Sequence, residues 1–237
     1  EPVRLVGPVV AVWMLLFALP LFLITPDRPR VGVRMGTAAR LGLGNLWRTL
    51  RSLGPQSQVL RFLTARLLYN DGLNTLFTFG GIYAAGTFGM TTSEIMLFAI
   101  ALNISAGIGS FAFGYIDDRL GSKQTVLLAV AGLALFGIAA LLAQDKQTFA
   151  VLGVLIGLFV GPAQSASRTL MARLAPPAQR TEMFGLYALS GKVTAFLGPL
   201  LFGAATVAFD TQRAGMAVVV VMLASGGLLL FLWVREP

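Results

Sequence analysis

Cysteine and histidine are both absent from this chain of 237 residues. Without cysteine there is no disulfide framework and no thiolate chemistry. Without histidine the commonest metal ligand and the usual neutral-pH acid–base group are missing. Charge is scarce as well. Only 12% of residues are charged, about half the fraction typical of soluble domains. The sequence holds no phosphate loop, no nucleophile elbow and no metal-ligand cluster. An enzyme is therefore not expected, nor a metal, nor a cofactor.

What the chain has in abundance is apolar surface. Hydrophobic residues make up 56% of it, and mean hydropathy is +0.79. A lipid bilayer is the solvent that suits such a composition. Lys and Arg number 18 against 10 Asp and Glu, a net charge of +8. In a soluble protein that surplus would point to nucleic acid. No basic, aromatic-interleaved soluble module is present, so nucleic-acid binding is not expected. The surplus fits basic loops on one side of a membrane.

A membrane-spanning helix needs about 20 mostly apolar residues. Seven stretches qualify on reading the sequence: 5–25, 58–88, 92–116, 125–143, 149–168, 183–209 and 214–234. The first is too long for a signal-peptide core and lacks a small-x-small cleavage site, so it reads as a span. The chain starts at Glu1 rather than Met, the expectation for a fragment or a processed chain. Three links are short, 89–91, 117–124 and 144–148, and make antiparallel hairpins. The fold expected is an all-α membrane protein of seven transmembrane helices. Residues 1–25 form a separate helix, 26–57 a basic linker, and 58–237 a six-helix unit. Hydropathy also allows that unit to be two groups of three, 58–143 and 149–234.

Every second link is basic. Arg28, Arg30, Arg34, Arg40, Arg48, Arg51 and Arg61 precede or enter the second span. Arg119 and Lys123 lie two spans later, then Arg168, Arg173 and Arg180, then Arg235. The alternate links hold only Lys146 and Arg213. The positive-inside bias places the basic links in the cytoplasm, with the N-terminus outside and the C-terminus inside. Within 37–54 the residues Leu43, Leu46, Trp47, Leu50 and Leu53 recur at helical spacing, so an amphipathic helix on the inner leaflet is expected there.

The second span carries Arg66, Asn70, Asp71, Asn74, Thr75 and Thr78 within one half of a helical wheel. A charge in hydrocarbon costs about 2.5–3.5 kcal/mol or more, which calls for a water-filled cavity or an ion pair. By helical rise Arg66 lies about 12 Å and Lys192 about 14 Å from the cytoplasmic end, so the two can share one cavity. Asp71 either neutralises one of these cations or, left unpaired, serves as a site of proton coupling. Asn103, Ser105, Ser165, Ser167 and Gln164 also lie mid-span, the last three behind Gly161-Pro162. That pair can free backbone carbonyls towards a cavity, or the polar groups can bond between helices. Arg66, Asn70, Asp71, Asn74, Gln164 and Lys192 are the candidate cavity residues.

The link between the third and fourth spans reads Gly114-Tyr-Ile-Asp-Asp118-Arg119-Leu-Gly121-Ser-Lys123. It resembles the loop signature of the major facilitator superfamily, which joins the second and third helices of each six-helix half. If the first span corresponds to helix six of twelve, the loop falls correctly between helices eight and nine, and 26–57 is the central loop. Residues 62–75 and 184–192, followed by Gly198-Pro199, resemble the vacuole effluxer-like branch. Fungal relatives in that branch are associated with export of amino acids from the vacuole.

The resemblance implies the C-terminal half of a secondary transporter for a small polar solute, an amino acid for example, in a bacterial inner membrane. In that superfamily the solute lies between two six-helix halves, which rock against each other. Helices one to five have no counterpart in this chain, so missing N-terminal helices or a partner chain would complete the cavity. Gly114, Asp118, Arg119, Gly121 and Lys123 would form a cytoplasmic gate. The alternative is a transporter-derived subunit that moves no solute and docks on a larger membrane complex.

Overall fold

The computed structural model describes residues 2–24 and 57–235, and between them only 36–37, 40–42, 44, 48, 51 and 53–54. The amphipathic helix expected over 37–54 has Leu43, Leu46, Trp47 and Leu50 outside the described residues. Two compact units are present, Glu1–Leu43 and Gly44–Pro237.

In the first unit, α1 (Pro2–Ile24) runs through Pro8 and Pro20 without a break. Val6–Ile24 is apolar throughout, and its 23-residue helix is about 34 Å long, enough to cross the hydrocarbon core. Trp13 and Phe17, one turn apart, bring their ring centroids to 4.6 Å.

The second unit contains α2 (Gln58–Phe88), α3 (Thr92–Leu120), α4 (Ser122–Leu142), α5 (Lys146–Leu174), α6 (Arg180–Val193), α7 (Leu197–Phe209) and α8 (Gln212–Trp233), with a 3-10 turn at Pro177–Gln179. Among the described residues, six helical stretches are long and apolar enough to cross a membrane: α1, α3, α4, α5, α6 with α7, and α8. The protein is thus an all-α membrane protein. The exception is α2, whose polar residues lower its hydropathy although it is 31 residues long.

Three links differ from expectation. The span expected over 183–209 is two helices, α6 and α7, broken at residues 194–196. Pro199 is the third residue of α7. It has no N–H for the Ala195 carbonyl and its ring crowds that carbonyl, so one helix cannot run through, whereas a first-turn position tolerates it. The turn expected over 117–124 is a single residue, Gly121, at φ 88°; Asp118 and Arg119 still belong to α3. The link expected over 144–148 is 143–145, because Asp145 caps α5 by accepting the N–H of Gln147 at 3.0 Å and of Thr148 at 2.8 Å. The link at 89–91 lies where expected. Gly89 closes α2 in the left-handed region at φ 63°, and Thr91 and Glu94 form a reciprocal capping box at the start of α3.

Glycines set the helix packing. Gly153, Gly157 and Gly161 recur every four residues on the face of α5 that meets α3. A Cβ on Gly157 would stand 2.7 Å from the Leu102 carbonyl oxygen, and one on Gly161 would stand 2.5 Å from that of Ala106. From the other side, a Cβ on Gly109 would stand 2.6 Å from the carbonyl carbon of Leu158. Leu158 is the residue whose carbonyl loses its helical partner to Pro162. The group freed by the proline therefore faces the backbone of α3 rather than an open cavity. In the same way Gly226 of α8 lets Tyr69 of α2 approach, with 2.6 Å from the ideal Cβ to the Tyr69 nitrogen. Such backbone contact is how helices associate where lipid offers no hydrophobic drive.

The two ends of the bundle differ in charge. At one end Arg61 donates to the Trp233 carbonyl at 3.4 Å, the Arg235 N–H to Gln58 at 2.7 Å and Lys123 to the Phe231 carbonyl at 3.4 Å. Arg119, Arg173 and Arg180 belong to the same end by chain order. At the opposite end both cations are engaged, Lys146 with Glu94 at 2.6 Å and Arg213 with the Ala143 carbonyl at 2.8 Å.

Candidate functional site

The polar half of α2 resolves into two rows. Arg66, Asn70, Asn74 and Thr78 follow one another every four residues; Asp71 and Thr75 form a second row beside them. The first row emerges from burial along its length, from Arg66, which is 7% exposed, to the exposed Asn74 and Thr78. The second row is buried completely, Asp71 at 1% and Thr75 at 0%.

Arg66 docks on α6. Its Nη1 donates to the Tyr187 carbonyl at 2.9 Å and the Ser190 hydroxyl at 2.8 Å, and its Nη2 to Asn70 Oδ1 at 3.3 Å. The guanidinium carbon sits 3.6 Å from the Tyr187 ring centroid, a cation–π geometry. Gly191 makes room: a Cβ there would lie 3.3 Å from Nη1. Neutral groups supply all of these contacts, and Nε is buried without a partner. No carboxylate meets this cation among the described residues.

Asp71 does not pair with Arg66 or Lys192, as the sequence allowed. Its Oδ2 accepts the Gly198 N–H at 2.9 Å, in the first turn of α7, where free amides and the helix dipole favour an anion. Its Oδ1 is buried without a partner. Thr75 donates to the Asp71 carbonyl at 2.8 Å, and Gly198 is packed so closely on Thr75 that a Cβ there would meet its side chain. Arg66 and Asp71 thus hold the two sides of the α6–α7 break.

Lys192 is exposed in the last turn of α6, next to Gly191, and its amine has no hydrogen bond or ion pair among the described residues. Gln164 is exposed on α5 beside the exposed Ser165. Sequence reading missed Tyr69: its hydroxyl meets the Ser167 hydroxyl at 2.8 Å, pinning α2 to α5 one turn from Arg66. Tyr69 lies on the apolar half of the α2 wheel, so helical periodicity places it in the core; its distance of three residues from Arg66 is the only signal of its role.

At the basic end, Gly114, Asp118 and Arg119 are exposed, and Gly121 forms the turn. No ion pair joins Asp118 to Arg119 among the described residues. Lys123 reaches α8, 5.9 Å over the Phe231 ring.

A cavity of about 250 Å³ lies elsewhere, in the opposite half of the bundle. Leu76, Tyr83, Phe98, Leu133, Phe149 and Val219 are among its lining residues, and of the mid-span polar residues only Asn103 reaches it.

The chain matches the family model described as vacuole effluxer Atg22 like over residues 1–236. Autophagy-related protein 22 of Coccidioides immitis is 26% identical over 248 residues, covering 93% of this chain and 41% of that protein. The protein named "Uncharacterized MFS-type transporter YxiO" in Bacillus subtilis is 24% identical over 214 residues, 89% of this chain and 48% of that one. Autophagy-related protein 22 of Kluyveromyces lactis is 24% identical over 217 residues, 83% of this chain and 44% of its own length. The chain spans less than half the length of each of these relatives. With a match along nearly its whole length, the chain belongs to the Atg22-like vacuole effluxer family.

Proposed function

We propose that this chain is the C-terminal half of a secondary transporter that moves a small polar solute carrying a carboxylate, an amino acid being the simplest example. Arg66 carries this reading. It is a buried guanidinium at membrane depth with no carboxylate of the described residues against it, at the head of a row that opens through Asn70 to Asn74. A permanent cation held only by neutral dipoles is a receptor for an anionic group. Lys192 and Gln164 complete the polar wall on α6 and α5.

In this reading the other half of the transporter, from further helices or a partner chain, covers that wall, and the two rock about the solute. The basic end faces the cytoplasm of a cell whose inner membrane holds the protein. The hairpin from Gly114 to Lys123, with Asp118, Arg119 and Gly121, forms the cytoplasmic gate. Asp71 is the site of proton coupling. A proton on Oδ1 would cancel a buried charge without breaking the bond that Oδ2 accepts from the Gly198 N–H, and would weaken the hold of α2 on the start of α7.

The test is uptake by the intact polypeptide in proteoliposomes. Carboxylate-bearing solutes are expected to enter under an imposed proton gradient and to compete with one another. Arg66→Ala is expected to abolish uptake. Equal uptake of an amino acid and its amide by the wild type would overturn the role of Arg66.

A further inference from the structure

An open groove of about 580 Å³ runs between α3 and α5. Leu97, Phe98, Ala101, Ala150, Val154 and Leu155 give it an apolar wall. The small side chains of Ala101 and Ala150 keep its floor low between the exposed Leu97 and Val151. Val151 and Ser167 point to nearly opposite sides of α5, and Ser167 meets Tyr69 of α2. The groove therefore opens away from the Arg66 wall. From Gln147 to Leu155 it descends about 12 Å by helical rise, most of one leaflet's share of a hydrocarbon core about 30 Å thick.

Its mouth is polar and open. Lys146, the first residue of α5, donates to Glu94 Oε1 at 2.6 Å, and the two side chains are 49% and 36% exposed. Glu94 Oε2 accepts the Thr91 N–H at 2.8 Å and the Thr91 hydroxyl at 3.1 Å. An ammonium carries three donors and a carboxylate about four acceptor sites, so the pair keeps N–H groups and an acceptor site to spare. The side-chain amide of Gln147, also exposed at the mouth, has no hydrogen bond among the described residues.

That combination selects a ligand. The groove takes a hydrocarbon chain along its length. A lone lysine at the mouth would favour any anionic headgroup. A cation and an anion side by side favour a headgroup that carries both signs, its phosphate towards Lys146 and its ammonium towards Glu94. An ammonium that still bears N–H groups suits the carboxylate and the Gln147 oxygen better than a quaternary one, which has no proton to donate.

We propose that this groove is a binding site for a phospholipid with a zwitterionic, primary-amine headgroup, ethanolamine phosphate. One acyl chain lies between α3 and α5, the phosphate on Lys146 and the ammonium on Glu94 and Gln147.

Native mass spectrometry tests the site on the full-length polypeptide, delipidated in detergent and then offered dioleoyl lipids with ethanolamine, choline or glycerol headgroups. Phosphatidylethanolamine is expected to be retained about threefold more than phosphatidylcholine or phosphatidylglycerol, the scale of an exposed ion pair. Lys146→Gln removes the donor to the phosphate. Glu94→Gln removes the negative charge yet keeps a capping-box acceptor. Each should erase the preference. Ala150→Phe fills the floor and should lower retention of all three lipids alike. Circular dichroism checks that the helices persist, and Ala101→Phe replaces Ala150→Phe if that variant misfolds. Equal retention of the three headgroups by the wild type would mean annular lipid only and would overturn the proposal. A preference that survives Lys146→Gln, a preference for phosphatidylglycerol, or unchanged retention by the folded phenylalanine variant would overturn it too.

Discussion

The carboxylate of Asp71 accepts the backbone N–H of Gly198 at 2.9 Å, across 127 positions of sequence. One side chain of α2 thereby holds the first turn of α7. An asparagine keeps an acceptor oxygen and an alanine does not. Asp71→Asn is expected to fold, to melt above the alanine variant, and to lose proton-driven uptake. Asp71→Ala orphans the Gly198 amide and should cost about 1–3 kcal/mol of stability as well. Thermal unfolding in detergent alongside uptake separates the two. Full proton-driven uptake by the asparagine variant would remove Asp71 from the coupling step.

Arg66 spreads its donors over Tyr187, Ser190 and Asn70, a span that a lysine ammonium cannot reproduce. Arg66→Lys should therefore raise KM for carboxylate-bearing solutes by roughly tenfold or more, about 1.4 kcal/mol. Uptake kinetics with a series of amino acids and their amides reads this directly. A loss equal for acids and amides would point to a packing role alone.

Gly109 and Gly107 are neighbours on α3 with opposite surroundings. A Cβ on Gly109 meets the backbone of Leu158; one on Gly107 meets nothing within 4 Å. Gly109→Ala should destabilise the protein by about 1–3 kcal/mol, the usual cost of overpacking. Gly107→Ala should leave the melting temperature unchanged or raise it slightly. Parallel melts of the two variants decide the matter.

Asp145 lies outside the membrane segments at the start of α5. The Thr148 amide, then the Thr148 hydroxyl, holds its carboxyl below the ordinary value of 3.8, with a smaller contribution from the Gln147 amide. Its folded value is depressed, so its stabilisation is complete above 3.8 and fades as pH falls through the folded value. Asp145→Ala should lower the melting temperature at neutral pH, and the gap to wild type should close in strong acid. A gap independent of pH would mean that the carboxylate is not the cap.

The chain's lack of cysteine makes topology easy to test. Gln144→Cys and Gln124→Cys place single exposed thiols at opposite ends of the bundle. With intact cells and a membrane-impermeant maleimide, the first should label and the second should not. The reverse pattern would invert the proposed orientation.

Much of this architecture is written locally. Apolar runs mark the spans, and Gly89, Thr91 and Glu94 mark one helix boundary by cap chemistry alone. The row from Arg66 through Asn70 to Asn74 is legible because four-residue spacing places side chains on one face. The partner of Asp71 is not legible, since Gly198 becomes a neighbour only once α2 and α7 pack. Nor is the break between α6 and α7, because continuous hydropathy across 183–209 hides a kink that depends on a single proline. Helical periodicity likewise cannot say that the carbonyl freed by Pro162 is covered by Gly109, since that depends on which helix lies opposite.

Gly121 is the sole residue between α3 and α4, whereas three residues separate α6 from α7. A joint of one residue has no slack. A shift at the end of α3 is handed directly to the start of α4, so the two ends move together with Gly121 as their elbow. The three-residue joint can take up movement that the elbow cannot. In a rocking cycle the first pair would carry displacement across the membrane, and the second would absorb it beside Arg66 and Asp71.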